Sequence, residues 1–228
     1  VTVRRSDLRI PLPDNFTTRL TGASIQHISR RAKYILIALD NAMTLVVHLG
    51  MSGRLLYYPI PPKCYVKHDH VILYLNDSSV VVFNDARRFG LMTLVKTADI
   101  PQHKLFRHLG PEPLSDRFDG TYLYHTIHAR KTPIKQAIMN AKIVVGVGNI
   151  YASESLFRAG IHPERPCTTL TQKACTVLCT HIKTVLQEAI TSGGSTLRDY
   201  VRSSGDVGYF QHHFAVYGKE NEPCTQCG

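Results

Sequence analysis

Long apolar runs are missing from this sequence. The opening Val1-Thr2-Val3-Arg4-Arg5 has no apolar stretch of signal-peptide length, and no later run is long enough to cross a bilayer. A disulfide framework is missing too. Of six cysteines, Cys64, Cys167, Cys175 and Cys179 are scattered through apolar or helical stretches, and only Cys224 and Cys227 form a close pair, which excludes the cross-linked lattice of a small secreted domain. These absences predict a reducing, cytoplasmic setting and no membrane. Acidic residues are scarce as well: 17 Asp and Glu against 27 Lys and Arg leave a formal charge of +10, which points to a polyanionic partner such as nucleic acid. Ribosomal and secreted basic proteins share that bias, so charge alone does not choose among them.

The 228 residues suffice for one large or two modest domains, each with its own core. Residues 24–95 carry short β-rich runs, among them 34–39, 44–49, 54–58, 70–75 and 80–83, separated by Asp40-Asn41, Gly50 to Gly53 and Asn76-Asp77. Such close turns predict antiparallel hairpins in a sandwich. After Gly110-Pro111-Glu112-Pro113 the periodicity becomes helical, over roughly 120–130, 133–140, 149–159 and 170–190. A strand-like run is expected over 209–217. The fold class is therefore α+β, with domains expected at 1–112, 113–200 and 201–228.

Six constellations carry candidate chemistry. Arg30-Arg31-Ala32-Lys33-Tyr34 leads into an apolar strand, so Arg31 and Lys33 are expected on one face; Lys33 is either a lysine held beside phosphate or part of a solvated basic edge. His48-Leu49-Gly50-Met51-Ser52-Gly53 places Met51 at a hairpin tip, as a wedge between bases or as ordinary core. In Lys67-His68-Asp69-His70 a phosphate contact or a structural histidine is preferred to a metal site, because no further ligands are identifiable nearby. Asn84-Asp85-Ala86-Arg87-Arg88-Phe89-Gly90 joins arginine to an aromatic ring that can stack on bases, or else Phe89 anchors the loop while Arg88 pairs with Asp85. Lys131 and Lys135 lie near the glycine turn Gly146-Val147-Gly148 before Asn149, where unpaired helix N–H groups form a natural phosphate clamp. A dinucleotide fold is set aside, since the third glycine and the preceding strand are absent. Cys224-Thr225-Gln226-Cys227 has the spacing of half a tetrahedral zinc site.

Taken in order, these segments, with His108 to Leu114, Val144 to Ser155, Gly160-Ile161-His162-Pro163 and Gly218 to Gly228, resemble formamidopyrimidine-DNA glycosylases over essentially the whole chain. The resemblance implies a β-sandwich, a helix–two-turns–helix domain and an incomplete zinc-finger hairpin. It implies a monomeric enzyme that turns oxidised purines out of damaged double-stranded DNA, cleaves the glycosidic bond and nicks the strand by β,δ-elimination. Carried over, Lys33 is the catalytic lysine acting as proton donor in β-elimination, and Met51, Arg87 and Phe89 fill the void left by the extruded base. His68, Arg87, Lys131, Lys135, Asn149 and Tyr217 contact DNA. Ser203 to Gly208 matches a loop over the everted base, and Cys224 and Cys227 are half of the ligands of one structural zinc. The family pattern starts with Pro-Glu, nucleophile and proton donor. Val1 falls inside that pattern, so the chain as it stands is expected to be truncated at both ends and inactive as a glycosylase; a non-catalytic damaged-DNA-binding protein or a basic RNA-associated protein are the competing classes.

Overall fold

Alternating β-branched and aromatic residues bounded by turn formers build the first half of the chain. In the computed structural model, which describes residues 1–194 and 210–228, the strands are β1 (Thr2–Val3), β2 (Ile25–Arg31), β3 (Tyr34–Leu39), β4 (Met43–His48), β5 (Arg54–Tyr58), β6 (Asp69–Tyr74), β7 (Val80–Asn84) and β8 (Leu91–Lys96). They form two four-stranded antiparallel sheets, ordered β1-β6-β7-β5 and β2-β3-β4-β8. Leu45, Val47 and Met92 from one sheet meet Val71 and Phe83 from the other, and Leu8, Leu12 and Phe16 close this core. Phe16 opens a short helix, α1 (Phe16–Leu20), that the sequence reading did not anticipate. Strand β2 also went unnamed, because its side chains are exposed along almost its whole length and show no alternation.

The second half is helical, with α2 (Gly120–Ile127), α3 (Ile134–Met139), α4 (Asn149–Arg158) and α5 (Gln172–Thr191). Helix starts follow from capping chemistry: Asp119 Oδ1 accepts from the Tyr122 amide at 2.7 Å, and Thr171 Oγ1 from that of Ala174 at 3.2 Å. Leu123, Ile127, Ile138, Leu156, Leu178 and Ile182 share one buried core. Gly120 lets α2 approach α5, since a Cβ there would stand 2.5 Å from Thr176 Cα. The chain thus forms two compact units, residues 1–107 and residues 108–194 with 210–228.

One expectation fails in the tail. Phe210–His213 forms a 3-10 helix instead of a strand. Phe210, Phe214 and Tyr217 recur at helix-like spacing and pack on Val185 and Ala189 of α5, so that packing prevails over any strand tendency. No strand occurs among residues 210–228. The loop residues Ser203 to Gly208 lie outside the described residues. Among those described, no helix is long and apolar enough to cross a membrane.

Candidate nucleic-acid interface

In the first unit, Lys33 does not lie on a strand face with Arg31. Arg31 pairs with Tyr34, so Ala32 and Lys33 form the turn between β2 and β3, with Ala32 buried in the left-handed region at φ 54°. A glycine-free left-handed turn leaves little trace in sequence. Lys33 keeps access to solvent, yet the surrounding protein desolvates its ammonium and lowers its pKa. Tyr34 lies opposite His48 in the β3–β4 register, with ring centroids 4.9 Å apart. His48 Nδ1 accepts the Gly50 N–H at 2.9 Å, which puts the ring proton on Nε2 as a donor. Desolvation, with Arg9 and Lys33 nearby, lowers the His48 pKa, so the ring is held neutral within a cationic cluster. Neither His48 nor Arg9 was singled out from sequence as a site residue.

The Met51 hairpin and the Arg87–Phe89 loop are packed backbone to backbone. A Cβ at Gly50, where φ is +66°, would meet Phe89 C at 2.5 Å and Gly90 N at 2.6 Å. Buried Asp85 locks them further: its carboxylate accepts from Ser52 Oγ at 2.6 Å and from Gly90 N at 2.8 Å, and Ser52 Oγ accepts the Arg87 N–H at 3.1 Å. Asp85 therefore does not pair with Arg88. Above this clamp Arg87 lies 4.8 Å from the centroid of the Phe89 ring. Met51 is 59% and Phe89 47% exposed, so neither is a core residue. Gly50→Ala is expected to cost about 2 kcal/mol or more, through left-handed strain plus backbone overlap, read by thermal unfolding. A melting curve unchanged from wild type would refute that reading of the loop contact.

His68 joins this group through its backbone, its carbonyl accepting the Asp85 N–H at 3.0 Å. His70 is the structural member of the pair: it is buried, with Nε2 2.7 Å from the Asp85 carbonyl.

In the second unit, the Ile134 and Lys135 amides donate to Arg165 O and Pro163 O, so these N–H groups of α3 are engaged within the protein. Helix α4 differs. Gly148 occupies its cap with no side-chain cap bond, and Asn149 sits exposed on the first turn. Lys135, Asn149, Ser153 and Tyr217 line one cavity of about 560 Å³; Lys131 is exposed in the α2–α3 connection. Tyr217 is held there by Glu154, an acid embedded in the buried face of α4. Its oxygens accept from the Ala215, Val216 and Tyr217 amides at 2.8, 3.0 and 2.9 Å. An acid at a core position of a helix was the available signal for this tie. A larger hollow of about 860 Å³, lined by Arg158, Lys183 and His213, contains none of the expected residues.

Cys224 and Cys227 form a knuckle in which the Gln226 N–H reaches Cys224 Sγ at 3.4 Å. Backbone N–H groups and the Cys227 thiol lower the Cys224 pKa and favour a thiolate there, as a zinc ligand requires, while the same contact raises the pKa of Cys227. The pair fits two corners of a tetrahedral site. Among the described residues, no group of three or more His, Cys, Asp or Glu is placed to hold a metal.

The formamidopyrimidine-DNA glycosylase N-terminal domain matches residues 1–92, and the H2TH domain of the same glycosylases matches residues 109–201. The chain is 48% identical over 236 residues to a formamidopyrimidine-DNA glycosylase of Dinoroseobacter shibae, spanning 99% of this chain and 82% of that protein. It is 47% identical over 227 residues to one from a Wolbachia of Brugia malayi, spanning 100% and 83%. The crystal structure of the MutM (Fpg) protein of Thermus thermophilus superposes with a TM-score of 0.82 at 38% identity, covering 91% of this chain and 76% of that one. Lactococcus lactis Fpg in complex with DNA containing an abasic site gives 0.86 at 33% identity, covering 93% and 79%. The chain belongs to the formamidopyrimidine-DNA glycosylase family.

Proposed function

We propose that this protein is a base-excision DNA-repair glycosylase that binds damaged duplex DNA, turns an oxidised purine out of the stack and cleaves its glycosidic bond, then nicks the strand as a lyase. The observation that carries the reading is the clamp in which Asp85 holds exposed Met51 beside the stacked Arg87–Phe89 pair. Extruding a nucleotide leaves a hole in the duplex, and an apolar wedge beside a stacked guanidinium and ring can fill it. In this reading Lys33 supplies a proton to the departing phosphate oxygen during β-elimination, and the His48 Nε2–H and Arg9 hold neighbouring phosphates. His68 contacts the backbone beside the wedge. Lys131, Lys135, Asn149 and Tyr217 grip phosphates from the second unit.

The proposed domains run over 1–112, 113–200 and 201–228. Cys224 and Cys227 would supply two thiolates to a structural zinc, whose chemistry is to pin the tail, with two further ligands completing its shell. A purely binding role is not favoured, because relatives matching across the whole chain carry the glycosylase name. The test is incubation of a chain that carries the family's Pro-Glu start ahead of these residues with duplex containing an oxidised guanine. Free base and a strand cut at the lesion are expected, with undamaged duplex left intact. Tight binding without base release would contradict the enzymatic reading, and equal affinity for damaged and undamaged strands would contradict the repair reading.

A further inference from the structure

Arg88 lies between the two residues of the stacked pair and adopts φ +58°, a conformation that L side chains other than Asn and Asp avoid. Its guanidinium turns away to Asp7, with Nη1 3.0 Å from Oδ2. The same carboxylate accepts from Arg5 Nε at 2.6 Å and Nη2 at 3.1 Å. Asp7 itself stands on a fixed turn. The Leu12 amide donates to Ser6 O, Leu8 and Leu12 are buried in the sheet core, and the Arg9 amide donates to Gly90 O at 3.2 Å. The turn bearing Asp7 is therefore bonded to the wedge loop through main chain and side chain alike.

The geometry points to Asp7 as a positioning residue: by tethering strained Arg88, it fixes the loop so that Arg87 and Phe89 are presented as a stacked pair before DNA arrives. This rests on the void-filling reading above. It has a counter-intuitive consequence, because Asp7 is an anion on a surface proposed to meet a polyanion. As a bare surface charge, its removal would tighten binding to all DNA. As a tether, its removal weakens the grip only where there is a void to fill.

The experiment measures the affinity of the protein for a duplex carrying a tetrahydrofuran abasic analogue and for the undamaged duplex, in wild type, Asp7→Ala, Asp7→Glu and Arg87→Ala. Exposed ion pairs are weak, so the abasic-to-undamaged preference should fall by roughly threefold in Asp7→Ala, while undamaged binding holds or tightens. High salt should erase the difference, and Asp7→Glu should recover part of the preference. The melting temperature of Asp7→Ala should stay at the wild-type value. If both affinities rise together in Asp7→Ala while Arg87→Ala still loses the preference, the tether is refuted and the void-filling reading stands. If wild type shows no abasic preference, both fall.

Discussion

Lys33→Ala will lower nicking at an abasic site by about 100-fold, while duplex affinity changes only a few-fold. The turn between β2 and β3 carries Lys33 within electrostatic reach of the Tyr34–His48 pair, where it lowers the His48 pKa. A solvated lysine guarding a sheet edge would have no reason to lie within electrostatic reach of a histidine that it helps to keep neutral. The pH dependence follows from the direction of its own shift. Desolvation lowers the Lys33 pKa below 10.5, and a proton donor acts only while protonated. Nicking should therefore decline on the alkaline side earlier than for an ordinary lysine. Lys33→Arg should restore binding but not nicking, because guanidinium does not give up its proton in this range. Wild-type nicking in Lys33→Ala would return this residue to the role of a basic edge.

Glu154→Gln will destabilise the second unit by about 3 kcal/mol. The carboxylate is fully buried and accepts three backbone N–H donors from consecutive residues, so it closes the chain of residues 215–217 onto α4. Glutamine has nearly the same volume but replaces one accepting oxygen with an amide that faces donors. At least one buried N–H is then left unpaired, and bonds to a charged acceptor become bonds to a neutral one. Chemical denaturation should show the loss. Hydrogen exchange should localise it to the Ala215, Val216 and Tyr217 amides, with Tyr217 leaving the cavity that it shares with Asn149. Full protection of those amides and unchanged stability in the variant would contradict the tie.

The hairpins could be read from sequence because Asp40-Asn41, Gly50 to Gly53 and Asn76-Asp77 interrupt β-branched runs, and the structure places strands β3 to β7 within a residue of the expected bounds. Helices α2 to α5 followed from apolar periodicity, whereas the caps at Asp119 and Thr171 were not singled out from sequence. The misses have separate physical causes. Strand β2 lacks alternation because it is exposed, the Ala32 turn lacks a glycine, and the Phe210 segment takes its form from packing on α5. The site divides in the same way. Lys33, Met51, Arg87, Phe89 and Cys224 announce themselves by side-chain chemistry within local motifs. Asp85 was visible in its motif, but not the 33-residue reach by which Ser52 finds it. The Asp7–Arg88 and Glu154–Tyr217 links span 81 and 63 residues, and no local pattern encodes them.

The central claim is that the wedge residues enter the duplex when the damaged nucleotide leaves it. A duplex carrying 2-aminopurine beside an oxidised guanine reports this directly, since that fluorophore brightens when its neighbour unstacks. On mixing with the protein, fluorescence should rise before any strand is cut, and the rise should be lost in Arg87→Ala and Phe89→Ala even though both still bind DNA. An identical rise in those variants, or no rise with wild type, would contradict the account.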